Sequence, residues 1–136
     1  MFLTHDTLLF MEHFSISQSA RKYPRLPYQK IKDDILGTSY TLSLVFVGAA
    51  RAQKLNQTTR GKSYIPNVLS FPLDATHGEI YIAPTVAKTE AKKFNMTPNG
   101  YTGYLFIHGL LHLKGYAHGS KMETLEQKYL QKFKMK

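Results

Sequence analysis

Residues 97–115 read "TPNGYTGYLFIHGLLHLKG", and no other stretch restricts the fold as much. Thr97 followed by Pro98 is a helix-start signal. The hydroxyl can accept from a free backbone N–H of the first turn, and proline suits the first helical position. Gly115 suits the left-handed conformation in which helices commonly end. The segment predicts a central helix, with a site at its C-terminal end.

That end carries "HGLLHLKGYAH" (108–118), with histidines at offsets 0, 4 and 10 and no carboxylate. His108 and His112 are i and i+4 on one helix, about 40° apart round the axis and about 6 Å apart along it. Both imidazoles can face one ion. A turn after Gly115, through Tyr116 and Ala117, can return His118 to the same point. Three imidazole nitrogens are a common protein ligand set for zinc, with the fourth position left to water. We therefore expect one Zn2+ per chain on His108, His112 and His118. His5, His13 and His77 lack such spacing and read as surface or turn residues.

The spacing matches H-E-x-x-H-x-x-G-x-x-H of the metzincin proteases except that Gly109 replaces the glutamate. That glutamate is the general base of peptide hydrolysis there. The metal scaffold is retained without the peptidase base, and a bare position 109 is expected to leave the approach to the metal open to a bulky group.

The rest of the chain supplies a frame. A length of 136 residues suits one domain, 1–136, with residues 1–27 the least legible. "SISQSARKYPRLPYQ" (15–29) reads as loop or loosely fixed helix ends. Residues 28–36 read as a short helix stopped by Gly37. Alternation of Tyr40, Leu42, Leu44 and Phe46 argues a strand, and 49–61 a helix ending at Gly61. Residues 67–73 and 78–83 read as strands joined by a short turn, the second with apolar residues on both faces and therefore central. Helices follow at 84–94 and, after the central one, at about 120–133. The expected fold class is mixed α/β, with one small mixed sheet and helices packed around it.

The chain has 18 Lys and Arg against 9 Asp and Glu, a net charge of +9, which favours a polyanionic partner. It has no cysteine, which excludes thiol nucleophiles and iron–sulfur clusters. No signal peptide is visible, and the longest apolar run, near 44–50, is far short of the roughly 20 residues that span a bilayer. A soluble cytoplasmic protein with no membrane partner is expected.

Three motifs in order carry a resemblance to a known family. "HGLLHLKGYAH" resembles the H-G-x-L-H-L-x-G-Y-D-H signature of the YbeY family of endoribonucleases, the bacterial rRNA maturation factors. "LNQTTRGKSYIPNVLSFPLD" (55–74) resembles its L-N-x-x-Y-R-G-K-D-x-x-T-N-V-L-S-F-P, and "GEIYIAPTVAKTEA" (78–91) its G-D-I-x-I-x-x-x-x-A-x-x-E-A. The match runs from about residue 42 to 126. The resemblance implies metal-dependent cleavage of single-stranded RNA in ribosomal RNA maturation, at the 3′ end of the small-subunit RNA, and in ribosome quality control. Its implied partners are single-stranded RNA, ribosomal RNA, the small ribosomal subunit and ribosome-associated proteins. It makes His108, His112 and His118 the metal ligands and Arg60 the catalytic residue. Lys54, Lys62, Asn67 and Ser70 are further candidates for RNA contact, beside Arg60.

The sequence departs from the family pattern at Gly48, Thr59, Ser63, Pro66 and above all Ala117, which replaces the aspartate before the third histidine. An aspartate there would orient a ligand or hold metal-bound water. Ala117→Asp is accordingly expected to tighten zinc binding, unless Glu123 or Glu126 on the next helix already serves. A non-catalytic RNA- or ribosome-binding protein with a structural metal is the competing reading. A zinc hydrolase acting on a peptide or small amide is a third, opposed by Gly109.

Overall fold

A computed structural model of the chain describes residues 13–19 and 22–135; His5 lies outside them. The described residues form four strands, β1 (Phe14–Gln18), β2 (Thr41–Phe46), β3 (Val68–Asp74) and β4 (His77–Ile82). The five helices are α1 (Tyr28–Leu36), α2 (Ala49–Arg60), α3 (Pro84–Lys93), α4 (Pro98–Lys114) and α5 (Ser120–Lys132).

The sheet runs β1-β2-β4-β3. β1 and β4 are parallel to β2, whereas β3 is antiparallel to β4, so the sheet is mixed as expected. β2 and β4 are interior. Leu42, Leu44 and Phe46 on β2, and Ile80 and Ile82 on β4, are fully buried. β3 is an edge strand, which is where Pro72, having no N–H to donate, can be accommodated. The register slips between Pro72 and Asp74.

One expectation is corrected. Residues 15–18, read as loop, belong to strand β1, and the described fold opens on a strand rather than a helix. "FSISQ" hid the strand because it lies at a sheet edge with four of its five residues exposed. The strand is held by pairing from Phe14 opposite Leu42 to Gln18 opposite Phe46. Backbone pairing leaves little hydrophobic signature when only Phe14 packs against the core.

α4 is the central helix. Tyr101, Leu105, Phe106, Ile107, Leu110 and Leu111 are all buried, and the helix touches β3, β4, α1, α3 and α5. Such a helix, apolar almost all round, is stable only in an interior. Thr97 Oγ1 accepts from Gly100 N at 2.9 Å. At the other end Gly115 takes φ +110°, its N–H donates to His112 O at 3.0 Å, and Tyr116 N–H donates to Leu111 O at 3.0 Å. This pair of bonds closes the helix and turns the chain back over its own last turn.

Candidate metal centre

The helix-ending turn builds the site. By reversing after Gly115 it brings His118 to the two helical histidines: ring centroids lie 4.6 Å apart for His108–His112, 5.0 Å for His108–His118 and 4.7 Å for His112–His118. One potential ligand nitrogen from each histidine lies within 4.8 Å of the others. His118 is exposed and the other two are half-buried, so the cluster opens to solvent on one side.

The same turn fixes a tautomer. His112 Nδ1 lies 3.0 Å from Tyr116 O. A carbonyl only accepts, so Nδ1 carries the proton and neutral His112 has its lone pair on Nε2. Burial, and then the neighbouring His108, lower the pKa of His112 and favour this neutral form. His108 Nδ1 lies 2.5 Å from Glu126 Oε2, the carboxylate of a residue only 4 % exposed. Donation to that carboxylate leaves the lone pair of His108 on Nε2 as well. The two Nε2 atoms face each other at 3.1 Å.

Two lone pairs at that distance repel unless a cation lies between them. Ligands about 2.0–2.1 Å from a tetrahedral ion would be roughly 3.3 Å apart, close to the spacing here. A carboxylate behind a ligand histidine and a carbonyl behind another are the usual supports of such ligands. The donor set therefore fits a metal ion.

Glu126 is what the sequence reading left open. α5 buries Met122, Glu126 and Leu130, so the carboxylate occupies a core position in a stripe of spacing four. An acidic residue at an apolar helical position is a signal legible in sequence. Glu123 on the same helix is exposed, as is Ala117.

Beside the histidines lies a cavity of about 440 Å³, lined among others by Arg60, Tyr64, Asn67, Ser70, Gly109 and His112. Arg60 is the last residue of α2. Its Nη1 donates to Asn56 Oδ1 at 3.1 Å and to Tyr64 Oη at 2.9 Å. Asn56 is fully buried and also donates to Tyr64 O at 3.0 Å. One buried amide thus sets both the arginine and the loop after α2. The bond from Arg60 lowers the pKa of the exposed Tyr64 hydroxyl.

The other candidates divide. Ser70 lines the cavity, but its Oγ donates to Gly109 O at 3.0 Å, tying β3 to α4. Asn67 also lines it, and its Nδ2 donates to Glu90 Oε1 at 2.8 Å. Lys54 and Lys62 are exposed and are not among the lining residues. His13 bonds Thr41, and His77 bonds Asp74 and Thr76; neither joins the cluster.

Gly109 has a different reason from the one expected. A Cβ built there would meet Ile80 Cδ1 at 3.0 Å. The missing side chain lets α4 approach β4, because position 109 points at the sheet. For the same reason a glutamate base of the metzincin kind has no room here.

The family described as "Endoribonuclease YbeY" matches residues 11–134, a wider span than the three motifs. A protein of Mycoplasma mycoides named Endoribonuclease YbeY is 38 % identical over 111 residues, 67 % of this chain and 68 % of that one. One of the same name in Bdellovibrio bacteriovorus is 43 % identical over 88 residues, 62 % of this chain and 59 % of that one. In a third, from Mycoplasma capricolum, the match spans 54 % of the relative's length. A Thermotoga maritima protein whose structure was determined in solution is similar with a TM-score of 0.66 at 26 % identity, over 88 % of both chains.

Proposed function

The chain belongs to the YbeY endoribonuclease family, and from that premise we propose that it is a zinc-dependent endoribonuclease cleaving single-stranded RNA. Its place is in the maturation of ribosomal RNA, at the 3′ end of the small-subunit RNA, and in ribosome quality control. It acts in the cytoplasm, on ribosomal RNA and the small subunit, with ribosome-associated protein partners. None of the described helices is long and apolar enough to cross a membrane.

The observation that carries this reading is the convergence of His108, His112 and His118 beside a cavity that also holds Arg60. The three histidines would hold one zinc ion. When bound, zinc supplies Lewis-acid stabilisation of a phosphate oxygen and lowers the pKa of coordinated water. Glu126 and the Tyr116 carbonyl keep the two helical imidazoles aimed at the shared point. Arg60, held through Nη1 alone, keeps its remaining guanidinium donors for non-bridging phosphate oxygens. Ser70 anchors the edge strand that forms the cavity wall. The net charge of +9 supports affinity for the RNA backbone.

Incubation of a labelled single-stranded RNA with the untagged chain, in parallel with His112→Ala, tests the proposal. Cleavage by the parent and its loss in the variant are expected. A zinc-loaded parent that binds RNA without cutting it would favour the competing role, a binding protein with a structural metal, for which Ala117 and Gly48 speak.

A further inference from the structure

A second, larger cavity of about 1070 Å³ adjoins the first, and His108, Asn67 and Val68 line both. One wall is a ladder of rings. Phe94 stacks on Tyr101 with centroids 5.5 Å apart and planes at 12°. Tyr101 stacks on Tyr104 at 5.8 Å and 24°. Tyr104 in turn lies 5.9 Å from the ring of His108, at 36°. Residues 101, 104 and 108 share one face of α4 at spacings of three and four, so the stripe covers roughly 10 Å of helix. The ladder leads from the surface straight to a proposed metal ligand.

Its outer ring needs an explanation. Phe94 is 61 % exposed, among the most exposed large apolar side chains described. It sits just after α3 and before the left-handed residue Asn95, so its position is set by a tight turn rather than by core packing. Tyr101 is tied down instead: its hydroxyl donates to Glu90 Oε1 at 2.9 Å, and Asn67 donates to the same oxygen. The middle ring is thereby held rigid between Phe94 and Tyr104. Asn95, Asn99, Gln127 and Lys134, residues whose side chains are able to hydrogen-bond, are among those lining the cavity.

We propose that this shelf is a nucleobase subsite, in which unpaired bases neighbouring the scissile phosphate stack one on Phe94 and one on Tyr104. The inference rests on the RNA-cleaving reading and adds how the strand is held. An unpaired base offers a flat apolar face and a polar edge, and the cavity has rings on one wall and amides around it. Duplex RNA keeps its bases stacked inside the helix and cannot supply one, so the shelf also selects for single strands.

The test is binding of a fluorescein-labelled single-stranded oligoribonucleotide to zinc-loaded parent, Phe94→Ala, Tyr104→Leu and Tyr104→Phe, with cleavage followed in parallel. Loss of a stacking ring should weaken binding about tenfold in Phe94→Ala and Tyr104→Leu, while Tyr104→Phe stays within about twofold. An abasic nucleotide at one position beside the cleavage site should weaken the parent equally and have little further effect on Phe94→Ala. Zinc content of each variant separates lost stacking from a disturbed His108. A parent that binds and cleaves, with variants no weaker than it, would overturn the subsite alone. A parent that neither binds nor cleaves would overturn the function together with the subsite. Self-association that Phe94→Ala abolishes, with RNA binding unchanged, would assign the shelf to a second copy of this chain and overturn the proposal.

Discussion

Replacing Glu126 by glutamine keeps the size of the side chain and an oxygen acceptor but removes its charge. Glu126 is 4 % exposed and its carboxylate lies 2.5 Å from His108 Nδ1, so little water screens the change. A hydrogen bond to a charged partner contributes about 1.5–3 kcal/mol, against about 0.5–1.5 for a neutral one. The difference of about 1–1.5 kcal/mol should appear in metal affinity, where about 1.4 kcal/mol is tenfold. Groups that support ligand histidines typically account for about 10–100-fold, which agrees. A zinc titration against a competing chromophoric chelator at fixed pH should therefore give Glu126→Gln an affinity lower by about tenfold. The metal-free chain should lose at most about 1 kcal/mol in urea unfolding, because the variant also relieves the desolvation of a buried anion. Ala117→Asp should bind zinc within about twofold of the parent, reversing the expectation from sequence, since Glu126 already holds His108. Unchanged affinity in Glu126→Gln, or a marked gain in Ala117→Asp, would refute this reasoning.

Arg60→Lys keeps the charge but cannot bond Asn56 and Tyr64 while presenting a planar pair of donors. Cleavage should drop at least tenfold with little change in melting temperature, and an equal loss of stability would make Arg60 a structural residue. Gly109→Glu should destabilise the fold by about 3 kcal/mol or more in urea, because a Cβ there already presses on Ile80 and a carboxylate would follow it inward; a loss below about 1 kcal/mol would show that α4 has room to move. The lowered pKa of His112 has a definite sign. The unfolded chain takes up a proton near pH 6.5 that the folded chain still refuses, so stability of the metal-free chain declines as pH falls below that value towards the lower folded pKa. Unfolding measured across this window should show the slope in the parent and a shallower one in His112→Gln, whereas equal slopes would assign it to other groups.

Much of the fold was legible because α4 and its flanking elements announce their own ends. Thr97-Pro98, Gly115, Gly61 and Pro84 are local signals, and each stands at the boundary they indicate. The alternation in β2 and the apolar run in β4 marked both interior strands. β1 stayed hidden since an edge strand with a single partly buried apolar residue is specified by its neighbour's free backbone groups. The histidine cluster was readable from spacing alone, because helix geometry fixes two of its members and a glycine turn the third. The supports behind it were harder. The Tyr116 carbonyl has no side-chain signal, and Glu126 carries only one, its place midway between Met122 and Leu130 in a stripe of spacing four, which does not say what the carboxylate faces. The aromatic shelf joins Phe94 to α4 through a turn whose left-handed Asn95 nothing in the sequence reading singled out.

The central claim is that one metal ion is held by the three histidines. Elemental analysis of the untagged chain, purified without added metal, tests it most directly when run beside the variant with alanine at 108, 112 and 118. Close to one zinc per chain is expected in the parent and close to none in the variant. Equal metal content in both would contradict it.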